Sequence, residues 1–351
     1  MSWSDSLPPV SVIMPCRNEA RHITACLDSI LAGDYPADRL EVLVADGRSD
    51  DGTAALLEAY AAAHPAVRVL DNPQRTTPAG LNAAIRAASG EVVLRMDAHV
   101  VYPGDYIRRL VGALEETGAD NVGGVIRTSP ADGSAVARAI AVGLSHPFGV
   151  GNSWFRIGSA HRRWVDTVPF GCWRREVFER IGLFDEQLVR NQDDELNFRL
   201  SRAGGRILLL PEVVSEYFAR GSLRMLARMY GQYGWFKPLV ARKLGRVTTL
   251  RQLVPPAFVA ATLLLALAGT AWSPARAALA ALLVVYAAAT AVCAVQAGRR
   301  HGPRCVLALL AVFPVIHFSY GIGFLGGLAE EARSRRADRA RPGADAVALS
   351  R

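Results

Sequence analysis

The chain has 351 residues, 51% apolar and 21% charged, which is enough for two or three domains and excludes a disordered tail protein. Its charge is split: residues 1–219 hold 22 Lys and Arg against 28 Asp and Glu, whereas residues 220–351 hold 18 against 4. The basic excess surrounds long uncharged stretches instead of forming a charged face, which argues for a membrane surface and against nucleic acid. The five cysteines form neither a CxxC pair nor a zinc pattern, so the first half reads as a reduced, cytosolic domain. The first twenty residues show no basic region followed by an apolar stretch, and no cleavable signal peptide is expected.

In chain order, VSVIMP at 10–15, LEVLVA at 40–45, VRVLD at 67–71 and EVVLRM at 91–96 are continuous apolar runs, as expected for strands buried on both faces of a parallel sheet. Helical composition at 20–32, 53–63 and 78–88 separates them, and Pro78 suits a first helical turn. The alternation predicts a doubly wound α/β sheet. GADNVGGVIR reads as a further strand, 134–144 as a helix, and 145–168 as a long irregular stretch of the kind that usually carries function. FGCWRREVFERIGLFDE and NQDDELNFRLSRAGGRILLLP predict two short helices, the second over about 193–203, and a last strand.

Residues 220–251 carry eight Lys or Arg and no acid, a segment expected to lie on anionic headgroups. Residues 252–275, 277–298 and 305–329 contain no Lys, Arg, Asp or Glu, and each run exceeds the roughly 20 residues that cross a bilayer. Two to three transmembrane segments follow. The third, with Pro314, His317, Ser319 and Tyr320, also permits a re-entrant or interfacial segment. A basic tail, 330–351, ends the chain.

Ligands of open parallel sheets bind at the carboxyl ends of the strands. There the sequence places Cys16, Arg17, Asn18 and Glu19, then DGRSDDGT from Asp46, then Asp97, Ala98 and His99. No Gly-rich dinucleotide fingerprint and no GxxxxGK[ST] loop follows any strand, which argues against nicotinamide dehydrogenases and P-loop NTPases. Asp97 and His99, one residue apart, suit a divalent cation, manganese better than magnesium because of the imidazole, although such residues also serve as caps and loop groups. Asp51 or Thr53 suits a helix cap, and Asp46 is better placed to accept from a base or ribose. Asp193, Asp194 and Glu195 match a helix dipole, and three adjacent carboxylates raise one another's pKa, which suits a base.

Five blocks in order, VSVIMPCRNEA, EVLVADGRSDDGT, TPAGLNAAIRAASGEVVLRMDAH, PFGCWRREVFERIGLFDE and NQDDELNFRL, resemble the inverting family 2 glycosyltransferases of GT-A fold. Within them the chain is most similar to the succinoglycan-biosynthesis glucosyltransferase group, over roughly residues 10–245. The resemblance implies that Pro15, Arg17, Asn18, Glu19, Asp46 and Ser49 bind the nucleotide sugar, and Arg95 is expected to bind it with them. It implies that Asp97 and His99 occupy the metal-binding DxD, with Mn2+ or Mg2+ as cofactor. It also implies that Asp193 is the catalytic base, although Gln192 stands where the family usually has Glu. Gln232, Tyr233, Gly234, Trp235 and Phe236 sit where processive members carry QxxRW, without the Arg, which argues against a processive polymerase. Acceptor or diphosphate contacts are expected from Trp173, Asp194, Gln232, Trp235 and Lys237, and sugar stacking from Trp154, Trp164 and Trp173.

The expected function is transfer of a hexose from a nucleotide sugar, UDP-linked, to a lipid-linked glycan in cell-envelope or extracellular polysaccharide synthesis. The enzyme would be a multi-pass inner-membrane protein in contact with membrane lipids, its catalytic domain cytoplasmic and without a nucleic-acid partner. A polyprenyl-phosphate sugar synthase and an inactive scaffold that binds nucleotide sugar are the alternatives.

Overall fold

The computed structural model describes residues 7–245 and 249–340, with side chains to 334. Residues 1–6, 246–248 and 341–351, and with them the start of the chain, part of the basic segment and the end of the basic tail, lie outside the described residues. Two compact units are present: Met1–Ser129 with Leu144–Phe218, and Pro130–Gly143 with Ala219–Arg351.

The first unit runs β1 (Val10–Cys16), α1 (Ile23–Leu31), β2 (Leu40–Asp46), α2 (Thr53–Ala63), β3 (Val67–Asp71), α3 (Thr77–Ala87), β4 (Val92–Arg95), α4 (Tyr106–Thr117) and β5 (Asn121–Ser129). After α5 (Ala135–Leu144), which lies mostly in the second unit, come α6 (Pro147–Val150), α7 (Trp154–Ile157), β6 (Arg163–Trp164), β7 (Cys172–Arg174), α8 (Glu176–Ile181), α9 (Gln192–Arg202) and β8 (Ile207–Phe218). The stretch expected to be irregular, 145–168, contains the short α6, α7 and β6. Helix α4 was not anticipated, although Ile107, Leu110, Val111 and Leu114 have helical spacing and are buried.

One mostly parallel sheet has the strand order β3-β2-β1-β4-β7-β5-β8-β6, with β7 antiparallel to both β4 and β5, and β6 antiparallel to β8. Both faces are covered. Val12, Val44 and Leu94 pack with α1 and α4 on one side, and Ile13, Leu43 and Val93 with α3 and α9 on the other. That is why these runs carry no polar alternation. Strand β8 runs past Pro211, further than expected, because a bulge shifts the β5–β8 register between Gly124 and Val125. A Cβ on Gly124 would lie 2.3 Å from the Val213 carbonyl oxygen, so only glycine fits there. The chain winds outward from β1 through β2 to β3 and returns to β4 on the other side of β1, which opens a crevice at the carboxyl ends of β1 and β4.

The second unit contains α10 (Leu223–Leu244), α11 (Val254–Ala268), α12 (Ser273–Gly298) and α13 (Pro303–Ala340). Three helical stretches, Leu250–Ala268, Ser273–His301 and Pro303–Ser334, are long and apolar enough to cross a membrane. The first apolar run, read as continuous to 275, is broken at Gly269–Trp272, and α12 starts at Ser273. Helix α10 presses one face on α13 through glycines. A Cβ on Gly323 would lie 2.1 Å from the Gly231 oxygen, and one on Gly234 would lie 2.1 Å from the Tyr320 oxygen. The segment expected to rest on lipid headgroups therefore has a protein-covered face, with Lys237 and Pro238 buried on it.

Candidate active site

The loops after β1 and β2 are laced together. Asp46, buried at the end of β2, accepts from the Ser49 amide at 3.1 Å and the Ser49 hydroxyl at 2.5 Å. The same hydroxyl accepts from the Asn18 amide at 2.9 Å, and the Asn18 side chain exchanges hydrogen bonds with Asp50. The Glu19 amide donates to Thr53 and the Ala20 amide to Asp51. Asn18 (φ 57°) and Arg48 (φ 54°) adopt the left-handed conformation that these turns need, which Asn tolerates better than most residues. Asp46, Ser49 and Asn18 thus build the loop pair, and Pro15 and the exposed Arg17 line its β1 side. Burial, with Asp46 and Glu19 adding to it, pushes the Cys16 thiol far up, so the floor of the crevice is a neutral thiol and not a nucleophile.

At the end of β4, Arg95 is buried and uses its whole fork. Its Nε and Nη2 each lie 3.1 Å from Oδ1 of Asp97, and its Nη1 donates to Oδ1 of Asp193. The guanidinium also stands 5.8 Å from the centre of the Phe170 ring. Burial opposes the Arg95 charge, yet Asp193 and Asp97 hold its pKa well above the usual value. The sequence reading gives Arg95 to the nucleotide sugar, whereas in the fold it pairs with two carboxylates of the chain. Phe170 itself has φ 47°, an unusual backbone state for a bulky residue, and it was missed from sequence because a single aromatic in a loop carries no pattern.

Asp97 is further oriented by Tyr102, whose hydroxyl accepts from the Asp97 amide at 2.7 Å. His99 Nδ1 lies 3.2 Å from Glu19 Oε1, which joins the loops that follow β1 and β4. Among the described residues no group of three or more His, Cys, Asp or Glu side chains is placed to hold a metal ion by itself.

The three acids that open α9 separate by helix rotation, about 100° per residue. Asp193 meets Arg95, Asp194 meets the Thr167 hydroxyl at 3.4 Å, and Glu195 is tied to Arg199 at 2.8 Å. Burial pushes the Asp193 carboxyl above its ordinary value; Asp97 and Asp194 act in the same sense and Arg95 opposes them. Its side chain is still 34% exposed, so a substrate can reach it.

Trp173 corrects the expectation of a sugar or acceptor contact. It is 2% exposed, edge-on to Phe178 and Phe184, and its ring faces are occupied by the core. Trp154 and Trp164 carry the guanidinium groups of Arg163 (3.7 Å) and Arg206 (4.7 Å) over their rings. Gln232, Trp235 and Lys237 belong to α10 of the second unit, where Trp235 packs on Gly326 and Lys237 is buried.

The chain resembles known proteins over most of its length. Residues 11–182 match the family described as Glycosyl transferase family 2. The chain is 34% identical over 256 residues to the succinoglycan biosynthesis protein ExoA of Rhizobium meliloti, covering 72% of this chain and 76% of that one. It is 28% identical over 243 residues to a dolichyl N-acetyl-alpha-D-glucosaminyl phosphate 3-beta-D-2,3-diacetamido-2,3-dideoxy-beta-D-glucuronosyltransferase of Methanococcus voltae, covering 67% and 74%. The solved structure of a mannosyltransferase from Pyrobaculum calidifontis, in complex with GDP-Man and Mn2+, superposes with a TM-score of 0.58 at 27% identity, over 88% of this chain and 87% of that one. An α/β sheet whose β1–β4 crevice gathers these residues, matched across most of its length by such relatives, identifies the chain as a glycosyltransferase of family 2.

Proposed function

We propose that the chain is an inverting hexosyltransferase of the inner membrane, with its sheet unit on the cytoplasmic side. It moves a hexose from a nucleotide diphosphate donor, UDP-linked in our reading, to a hydroxyl of a lipid-linked glycan during synthesis of an exported polysaccharide. The observation that carries this reading is the meeting of Asp97 and Asp193 on the single guanidinium of Arg95. One carboxylate serves the leaving-group side and the other the acceptor side.

Asp193 removes the proton of the acceptor hydroxyl as that oxygen attacks the anomeric carbon. The bond to the diphosphate breaks on the opposite face, so configuration inverts. Arg95 favours the ionised form of Asp193 and aims it. A divalent cation, when bound, would supply charge neutralisation for the departing diphosphate. Asp97 and His99, the latter 3.2 Å from Glu19, are the residues that would hold it, since a carboxylate and an imidazole suit Mn2+. The Mn2+ bound with GDP-Man in the Pyrobaculum mannosyltransferase supports a metal, and the dolichyl-linked sugar phosphate after which the Methanococcus relative is named supports a lipid-linked acceptor. Three long apolar helices support the membrane setting and contact with its lipids.

The test is transfer of labelled hexose from a panel of UDP- and GDP-hexoses into lipid-extractable product, by membranes containing the protein with Mn2+ or Mg2+. Loss of product in both Asp97→Ala and Asp193→Ala supports the reading. Full activity in Asp193→Ala alone would instead make the acceptor a lipid phosphate, which needs no base; full activity in both overturns the site.

A further inference from the structure

The second half of β5 and the end of β8 hold a cluster that the reaction above does not use. Helix α7 packs on both strands and brings the guanidinium of Arg156 between two rings, 5.4 Å from the centre of Phe155 and 5.6 Å from that of Tyr217. The faces of the two rings attract the cation, but they are no substitute for an oxygen acceptor on its N–H groups. Nη1 of Arg156 is buried and has no hydrogen-bond partner. The β5–β8 register sets Thr128 opposite Tyr217, and the Thr128 hydroxyl is also buried without a partner. Arg162 differs, being paired with Glu116 and Glu212. Arg156 as a whole is half-buried, but an N–H of a guanidinium that is shut off from water is costly unless an acceptor answers it.

Its place in the sheet says what that acceptor belongs to. β7 is antiparallel to β4 and to β5, so β4 and β5 run the same way and end on one edge. Leu94 and Val122 are level, both opposite Cys172. Two strand spacings put β5 about 10 Å from β4, and Thr128, three positions further along its strand than Asp97 is along β4, lies about 10 Å further out. A diphosphate leaving beside Asp97 does not reach that far, whereas the far end of a short acceptor glycan does.

We propose that Arg156, clamped by Phe155 and Tyr217 and joined by the Thr128 hydroxyl, is a phosphate-oxyanion subsite for the phosphate that links the acceptor glycan to its lipid. This rests on the lipid-linked acceptor of the function proposed above. The planar fork of Arg matches two phosphate oxygens, and the hydroxyl donates to a third.

Binding of farnesyl diphosphate, of farnesol and of UDP with Mn2+ to the full chain in detergent tests this, in wild type, Arg156→Gln and Arg156→Lys. The expected result is at least a tenfold loss of farnesyl diphosphate affinity in Arg156→Gln, a smaller loss in Arg156→Lys, and UDP and farnesol affinities within twofold of wild type. Unchanged farnesyl diphosphate affinity in Arg156→Gln overturns the subsite, and an equal loss of UDP affinity assigns Arg156 to the donor diphosphate instead. Should Arg156→Gln fail to fold, the Arg156→Lys comparison decides by the same criteria. Arg156-dependent binding of farnesyl diphosphate without sugar transfer to any lipid would sink the proposed function and leave the subsite standing. Transfer with an acceptor KM unaffected by Arg156→Gln would do the reverse.

Discussion

Arg95 and Asp193 stand 98 positions apart in the chain, yet Nη1 of the first donates to Oδ1 of the second. The other half of the Arg95 fork holds Asp97. One guanidinium therefore sets the separation of the two carboxylates to which the proposed mechanism assigns the transfer. Arg95→Met is expected to lower kcat by about 100-fold, the usual range for a lost group that orients others, with nucleotide affinity little changed. It also leaves two partly buried carboxylates facing each other, a loss of about 3 kcal/mol. Initial rates, UDP titration and thermal melting in detergent separate these effects; a large fall in UDP affinity at constant kcat would return Arg95 to the donor.

The pH dependence follows from the direction of the Asp193 shift. Its carboxyl titrates above the ordinary value because of burial, and the base must be ionised to act. Activity is therefore full above that raised pKa and is lost as pH falls through it. The acid limb of kcat/KM should lie above that of an ordinary Asp, near about 4. In Arg95→Met the limb should move further up, since Arg95 is the group that lowers Asp193. An acid limb unchanged by removal of Arg95 would count against Asp193 as the base.

His99 is the departure from two acids that bears on metal preference. The variant His99→Asp supplies an oxygen in place of the imidazole, so the ratio of activity with Mg2+ to activity with Mn2+ should rise by about tenfold. Direct titration of Mn2+ by electron paramagnetic resonance should show weaker binding in the variant.

Both oxygens of Asp46 are engaged by Ser49, and Ser49 in turn holds the Asn18 amide. Asp46→Ala removes two charge-assisted hydrogen bonds, each about 2 kcal/mol, and releases the loop pair. The expected outcome is a donor KM raised by about tenfold or more, with a smaller effect from Ser49→Ala, which leaves the carboxylate and its bond to the Ser49 amide. Nucleotide binding by calorimetry checks it.

In the second unit, Gly323→Val introduces a Cβ 2.1 Å from a backbone oxygen of α10, and backbone cannot yield as a side chain can. A loss of about 3 kcal/mol is expected from overpacking, seen as poor yield and a lowered melting temperature. Gly302→Ala, at an open turn with nothing close to a Cβ but φ of 90°, should cost less.

The uninterrupted apolar runs alone determined that strands would be buried on both faces, and the polar groups that follow them marked the crevice. Long uncharged stretches likewise revealed the apolar helices. These features are legible because each depends on neighbours within a few residues of chain. Tertiary structure decided which acid of Asp193, Asp194 and Glu195 meets Arg95, since that depends on the rotation of α9 against the end of β4. It decided that Trp173 fills the core and not a sugar site, because β7 inserts between β4 and β5 and turns that ring inward. It also decided that Arg95 braces two carboxylates, and that Arg156 lies between Phe155 and Tyr217. Each of these needs two segments tens of residues apart to close on one point, and local pattern carries no trace of such a distance.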